Sequence, residues 1–164
     1  MSPWEKESQK KQIDPTNLQG VITTLREQGK TIVTLNGSFD LLHAGHLHII
    51  YEASLQGDIL LVCLNSDASI RSYKGASRPI IPLKKRMQMM SACYFVDYVT
   101  SFDESTPNAI LKIIRPNVHV NGAEYGKDCI EAPVVRSCGG RLHIVSLVPG
   151  WSTTQILEKI KQCV

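Results

Sequence analysis

TIVTLNGSFDLLHAGHLHIIYEASLQGDILLVCL occupies residues 31 to 64, and the order of patterns inside it decides the fold. Thr31–Leu35 is short and β-branched, the signature of a strand buried within a sheet. Asn36–Asp40 reads as a loop. A helix follows from about Ala44 to Gln56, with Leu47, Ile50, Tyr51 and Ser54 or Leu55 spaced as one apolar face. Gly57-Asp58 ends it, and Ile59–Leu64 is a second continuous apolar strand. Strand, loop, helix, strand is a βαβ unit, whose right-handed crossover makes the two strands parallel neighbours.

Working outward, residues 1–13 (MSPWEKESQKKQI) are polar and read as a flexible tail. Asp14 is placed as an N-cap with Pro15 at the first helical position, and Leu18, Val21, Ile22 and Leu25 continue at helical spacing to a stop at Gly29. Downstream, Asn65–Pro82 is a long loop rich in turn residues that carries Arg71 and Lys74. A helix is expected over Leu83–Tyr94, a strand over Tyr98–Ser101, and a helix from Thr106-Pro107 to Ile114. Strand Val118–Asn121, a weaker helix near Ile130–Cys138, strand Leu142–Leu147 and a last helix from Ser152 complete the pattern. The expected fold is α/β: a Rossmann-like doubly wound sheet, mostly parallel, of about five strands with helices on both faces. Residues 14–164 are expected to form one domain.

The totals exclude more than they identify. The chain has 164 residues, 18 Lys plus Arg, 15 Asp plus Glu and a formal net charge of +3. That charge is too mild to imply a nucleic-acid partner. Apolar runs such as Ile59–Leu64 are far too short to cross a bilayer, and the polar start has no secretory pattern. Five cysteines (Cys63, Cys93, Cys129, Cys138, Cys163) form no C-x-x-C pair. An odd, scattered set argues against a disulfide scaffold or zinc ribbon and suits a reducing cytoplasm.

In a sheet of this kind ligands bind beyond the carboxyl ends of the strands. Asn36–His46 leaves the first strand at that edge. Gly37 permits close backbone approach. His43 and His46, three apart, bring both imidazoles to one face of a helix start, and Gly45 keeps that face open. Unpaired N–H groups and the positive end of the helix dipole favour phosphate there. A metal pair is the weaker reading, because no third ligand is obviously placed and helical pairs favour i, i+4. His48 reads as an ordinary polar residue. Taken alone, Lys74 reads as a solvated loop lysine, Arg86 as one of three solvated charges in Lys84-Lys85-Arg86, and Ser152 as a helix cap.

Gly-x-Phe-Asp-x-x-His-x-Gly-His after a buried first strand resembles the His-x-Gly-His nucleotidyltransferases. Within them, NGSFDLLHAGH, with NSDASIRSYKG, RPIIPLKKRM, VDYV, TSFDESTPNAILKIIRP, VNGAEY and VPGWSTTQILEKI, is similar to the adenylyltransferase domain of the ADP-heptose synthases. The resemblance runs from about Asp14 to the C-terminus. It implies transfer of the AMP moiety of ATP to a sugar 1-phosphate, heptose 1-phosphate in that family, with release of pyrophosphate. It further implies that Gly37, Ser38 and Phe39 lie along the nucleotide, that His43, His46 and Lys74 are catalytic at its phosphates, and that Arg86 contacts phosphate or substrate. Asn121, Gly122 and Glu124 are implied beside the nucleotide, and Gly150, Ser152, Thr153 and Thr154 as a second phosphate motif. Mg2+ would ride on the phosphates, with Asp40 as its one protein candidate, and the protein would pair as a homodimer. The chain departs from the family at Ser38, where Cys is common, and at Asn121–Tyr125, where Lys-Gly-Gly-Asp-Tyr is usual. Tyr94 stands where glycerol-phosphate cytidylyltransferases carry Arg.

The implied reaction needs no general base. A phosphate monoester has a second pKa of about 6 and is already mostly dianionic at neutral pH. Catalysis reduces to bringing anions together and neutralising growing charge. Two other readings compete: a cytidylyltransferase using CTP and a small alcohol phosphate, and a non-catalytic nucleotide-binding sensor. No Gly-x-Gly-x-x-Gly follows the first strand, which disfavours a dinucleotide oxidoreductase.

Overall fold

The computed structural model describes residues 1–146 and 152–163. Five strands, β1 (Ile32–Gly37), β2 (Ile59–Asn65), β3 (Tyr98–Phe102), β4 (Val118–Gly122) and β5 (Arg141–Val145), form one sheet in the order β3-β2-β1-β4-β5. Every pairing is parallel, as the successive βα crossovers require, with Leu35 opposite both Val62 and Val120. The chain winds one way from β1 through β2 to β3 and the other way through β4 to β5. Strand order therefore reverses between β1 and β4.

Alternation along β1 builds two cores. Val33 and Leu35 pack with Leu60, Val62 and Leu64 against Ile50 and Ala53 of α3 (Ala44–Ser54) and Met90 of α5 (Leu83–Ala92). Ile32 packs with Leu61 and Cys63 on the other face, against Leu18, Ile22 and Leu25 of α2 (Leu18–Glu27) and Ile110 and Ile114 of α6 (Asn108–Ile114). Each such side chain, fully buried, contributes roughly 1.5–3 kcal/mol. No helix among the described residues is long and apolar enough to cross a membrane.

The structure corrects several local expectations. Residues 1–13 are not a bare tail: Ser2 and Glu5 form a capping box on α1 (Pro3–Gln9). Ile13 is buried, its N–H donates to the Val99 carbonyl (2.8 Å), and the Lys11 carbonyl accepts from Val99 N–H (2.8 Å). This short extended pairing covers the otherwise open edge of β3. Asp14 caps a 3-10 turn over Pro15–Asn17, which leads into α2.

The long loop after β2 contains α4 (Asp67–Lys74), capped by Ser66 Oγ, which accepts from Ser69 N–H at 3.2 Å. The weak helix near residue 130 is α7 (Ala132–Ser137), β5 runs over Arg141–Val145, and Leu147, the expected end of that strand, lies outside the described residues. Leu47, Tyr51 and Leu55 do not share the buried face of α3; they are 51%, 41% and 59% exposed. That helix is apolar on two sides, so spacing alone could not choose the inner one. The last helix is α8 (Thr153–Cys163).

Candidate functional site

Diverging loops at a reversal of strand order leave a crevice at the carboxyl ends of the strands. Here it is a cavity of about 480 Å³. Gly37, Ser38 and Phe39 from the β1 exit, His43 and His46 from the start of α3, and Lys74 from the end of α4 line one side. Asn121 and Gly122 at the end of β4 and Glu124 just beyond it, with Ser152 and Thr153 from the start of α8, line the other. These eleven sequence candidates meet in one space of a size that holds a small-molecule ligand. Arg86, Asp40 and Thr154 do not line it, and Gly150 lies outside the described residues.

The β1 exit is shaped by two neighbouring residues. Phe39 takes a left-handed backbone (φ 45), and its buried ring folds back until a Cβ on Gly37 would stand 3.1 Å from it. A side chain at 37 would press on that ring, which would have to give by a few tenths of an ångström. The Phe39 ring then meets His46 edge-on, with centroids 5.1 Å apart. His43 sits extended at the N-cap of α3, and its ring stacks on His46 at 3.8 Å and 23°. Both Nδ1 atoms are buried and have no hydrogen-bond partner. At the start of α3 the His46 N–H donates to the His43 carbonyl (2.9 Å), while the Ala44 and Gly45 N–H groups have no carbonyl one turn back within the helix.

Burial lowers the pKa of His43. Burial also lowers His46, aided by the His43 and Lys74 charges and opposed by a hydrogen bond with the Leu41 backbone, to about 4. Both rings are therefore neutral at neutral pH while the pocket holds no anion. An entering phosphate would favour their protonated forms, placing positive charge where negative charge collects.

Lys74 Nζ donates to Ser38 Oγ at 3.1 Å, bridging α4 to the β1 exit. Its pKa is lowered by burial and by the Arg78 and Arg86 charges, against the pull of Asp40. Asp40 itself is occupied. Its carboxylate accepts from Arg78 Nε (2.7 Å), Ile80 N–H (2.8 Å) and Ile81 N–H (2.9 Å). Burial opposes its ionisation, but the Ile81 and Ile80 amides and Arg78 outweigh that and hold its pKa below the usual range. Asp40 thus clamps the loop between α4 and α5. Among the described residues no three His, Cys, Asp or Glu side chains are grouped to hold a metal ion.

Arg86 differs most from its expected role. It is 1% exposed and donates to the carbonyls of Ile81 (2.9 Å), Ser38 (2.7 Å) and Asn65 (2.9 Å) and to Asp67 Oδ1 (2.7 Å). The guanidinium fork joins the exits of β1 and β2 to α4 and touches nothing in the cavity. Lys84 and Lys85 beside it are exposed, as a solvated charge run would be. Helical phase alone turns Arg86 inward.

Ser152 caps α8, its Oγ accepting from Gln155 N–H at 3.2 Å, while Thr153 lines the cavity and Thr154 is exposed. Asn36, Tyr125 and Ser146 also line the cavity, beyond the residues that sequence reasoning reaches. Asn36 opens the quoted NGSFDLLHAGH and Tyr125 closes VNGAEY, and position after a parallel strand is the signal that could find them. Ser146 carries none.

Comparison with known proteins shows the family. The chain matches the cytidylyltransferase-like family over residues 34–161. The bifunctional protein HldE of Syntrophotalea carbinolica is 44% identical over 150 residues, covering 88% of this chain and 30% of that one. HldE of Geobacter sulfurreducens is 46% identical over 144 residues, covering 87% and 29%. The chain thus spans about 30% of the length of the curated relatives it matches. Among solved structures, a lipopolysaccharide core biosynthesis protein from Thermoplasma volcanium superposes with a TM-score of 0.60 at 27% identity, over 73% of this chain and 98% of that one. A pantoate-beta-alanine ligase from Francisella tularensis reaches a TM-score of 0.62 at 14% identity, over 92% and 76%, and shares the fold.

Proposed function

We propose, from the premise that this chain belongs to the cytidylyltransferase-like family of nucleotidyltransferases, that it joins the AMP moiety of ATP to a sugar 1-phosphate, heptose 1-phosphate by preference. The products are an ADP-sugar and pyrophosphate. One observation carries the reading: two stacked imidazoles with orphaned ring nitrogens, a lysine bridged to Ser38 and two helix starts converge on one cavity. That arrangement suits a chain of phosphates. Similarity to HldE over this segment supports the choice of nucleotide and sugar.

An oxygen of the sugar 1-phosphate attacks the α-phosphorus, the bond to the bridging oxygen breaks, and pyrophosphate departs with its electron pair. The attacking oxygen is already ionised at neutral pH, so no residue needs to remove a proton. His43, His46, Lys74 and the α3 N–H groups hold the phosphates in line and offset charge on the departing oxygens. Mg2+ bound to the triphosphate would supply further neutralisation. With Asp40 engaged in the loop, the triphosphate itself would hold the ion, and among the described residues Glu124 is the carboxylate that lines the cavity.

The test is pyrophosphate release from ATP and from CTP, each paired with heptose 1-phosphate, other sugar 1-phosphates and glycerol 3-phosphate. Release with ATP and a sugar 1-phosphate supports the proposal. Turnover restricted to CTP and an alcohol phosphate would replace it with cytidylyl transfer. Nucleotide binding without turnover across the panel would make the protein a sensor.

A further inference from the structure

Below the cavity a seam of buried polar side chains runs between β1 and β4. Thr34 Oγ1 lies 2.8 Å from His119 Nδ1, and both residues are fully buried. Two positions further toward the carboxyl ends, Asn36 and Asn121 reach Glu131, which precedes α7 and is 5% exposed. Asn36 Nδ2 donates to Glu131 Oε1 at 3.3 Å, and Asn121 Nδ2 to Glu131 Oε2 at 3.1 Å. Nothing in the sequence pairs either asparagine with a partner or marks Glu131 as special.

A carboxylate can only accept hydrogen bonds, whereas an amide has a donating and an accepting end. Glu131 therefore sets the rotation of both amides: each turns its NH2 inward, and each Oδ1 is held away from the carboxylate. Asn36 lines the cavity, and its Oδ1 is buried without a partner. An orphaned buried acceptor costs free energy unless something completes it.

We infer that Glu131 is a positioning residue for the nucleotide: it fixes the Asn36 amide so that Oδ1 accepts a hydrogen bond from an N–H or O–H of the bound nucleoside. This deepens the reading given under Proposed function and rests on it. Glu131 does not line the cavity and acts through the amides it orients, Asn36 first among them.

Glu131→Gln tests it with almost no change of shape. The introduced amide offers one donor and one acceptor, so one asparagine must swing round. The expected result is a KM for ATP raised about tenfold, the worth of one hydrogen bond, with kcat nearly unchanged because ground and transition states lose it equally. Comparing ATP with 2′-deoxy-ATP and inosine triphosphate separates a ribose hydroxyl from the exocyclic amine as the donor: the analogue lacking it shows little further loss.

Thermal unfolding followed alongside exposes a purely structural role. A folded Glu131→Gln protein with unchanged KM overturns the inference. Should Glu131→Gln fail to fold, Asn36→Leu removes the acceptor directly, and an unchanged ATP KM there overturns it equally. Wild-type protein that binds no ATP overturns the nucleotide reading and this inference together, whereas active wild type with indifferent variants overturns the inference alone.

Discussion

The two walls of the cleft are built on opposite electrostatic plans. The β1 wall, Gly37–His46, is tied down by ions: Arg86 grips the Ser38 carbonyl, and Asp40 grips Arg78 and two amides of the following loop. The β4 wall, Asn121–Tyr125, is anchored at its base by the neutral Asn121 amide on the Glu131 carboxylate, which also receives Asn36 from the end of β1, while Glu124 and Tyr125 above it are exposed. A wall that must hold donors still while charge develops benefits from a latch that survives displacement by water. A wall that selects a nucleoside needs oriented hydrogen bonds instead, because a misplaced amide presents the wrong end.

Removing the latch should have the largest effect. Arg86→Met takes this donor from the Ser38 and Asn65 carbonyls and leaves Asp67 with the Leu83 N–H (2.9 Å), and should lower stability by about 3–5 kcal/mol in urea unfolding. Arg86→Lys should recover little, since an ammonium cannot span the same fork. A loss below about 1 kcal/mol would make the two walls mechanically alike, contrary to the comparison.

On the surface the latch supports, His46→Ala should cut turnover about 10²–10³-fold while circular dichroism and unfolding change little. Unchanged turnover would remove the imidazoles from the chemistry.

The β4 side should respond to acid. Burial holds the His119 pKa down to about 4, against an ordinary 6.5, with the Glu131 charge partly opposing. Between these values the unfolded chain binds a proton that the folded one refuses. Stability is therefore full above pH 6.5 and falls as pH drops toward 4, by at most about 3 kcal/mol for this group. Unfolding curves at stepped pH should show the decline, and His119→Gln should flatten that share of it.

The smallest change expected is at Ser66→Ala, which removes the cap of the helix carrying Lys74. About 1 kcal/mol of stability should be lost, with a modest rise in the KM for nucleotide as α4 frays. A loss of turnover as large as that of His46→Ala would mean that α4 is part of the latch.

Local order was written in the chain. Alternating β-branched runs and helical spacings state strand, helix and connection residue by residue, because φ/ψ preference and side-chain period act over a few positions. The same locality made the His43–His46 pair readable: two rings three apart at a helix start share a face wherever the helix lies. Lys74 and the start of α8 were reached by resemblance, since a lysine after a loop and a capping serine look ordinary by themselves. Tertiary structure decided the partners. Arg86 finds the Ser38 carbonyl 48 residues away, Asn36 finds Glu131 95 residues away, and residues 11–13 find Val99 only because β3 is an edge. Which of two apolar faces of α3 turns inward was settled in the same way, by the sheet it met. A charge or an amide carries no record in its own neighbourhood of which strand will stand beside it; adjacency in the sheet supplies that.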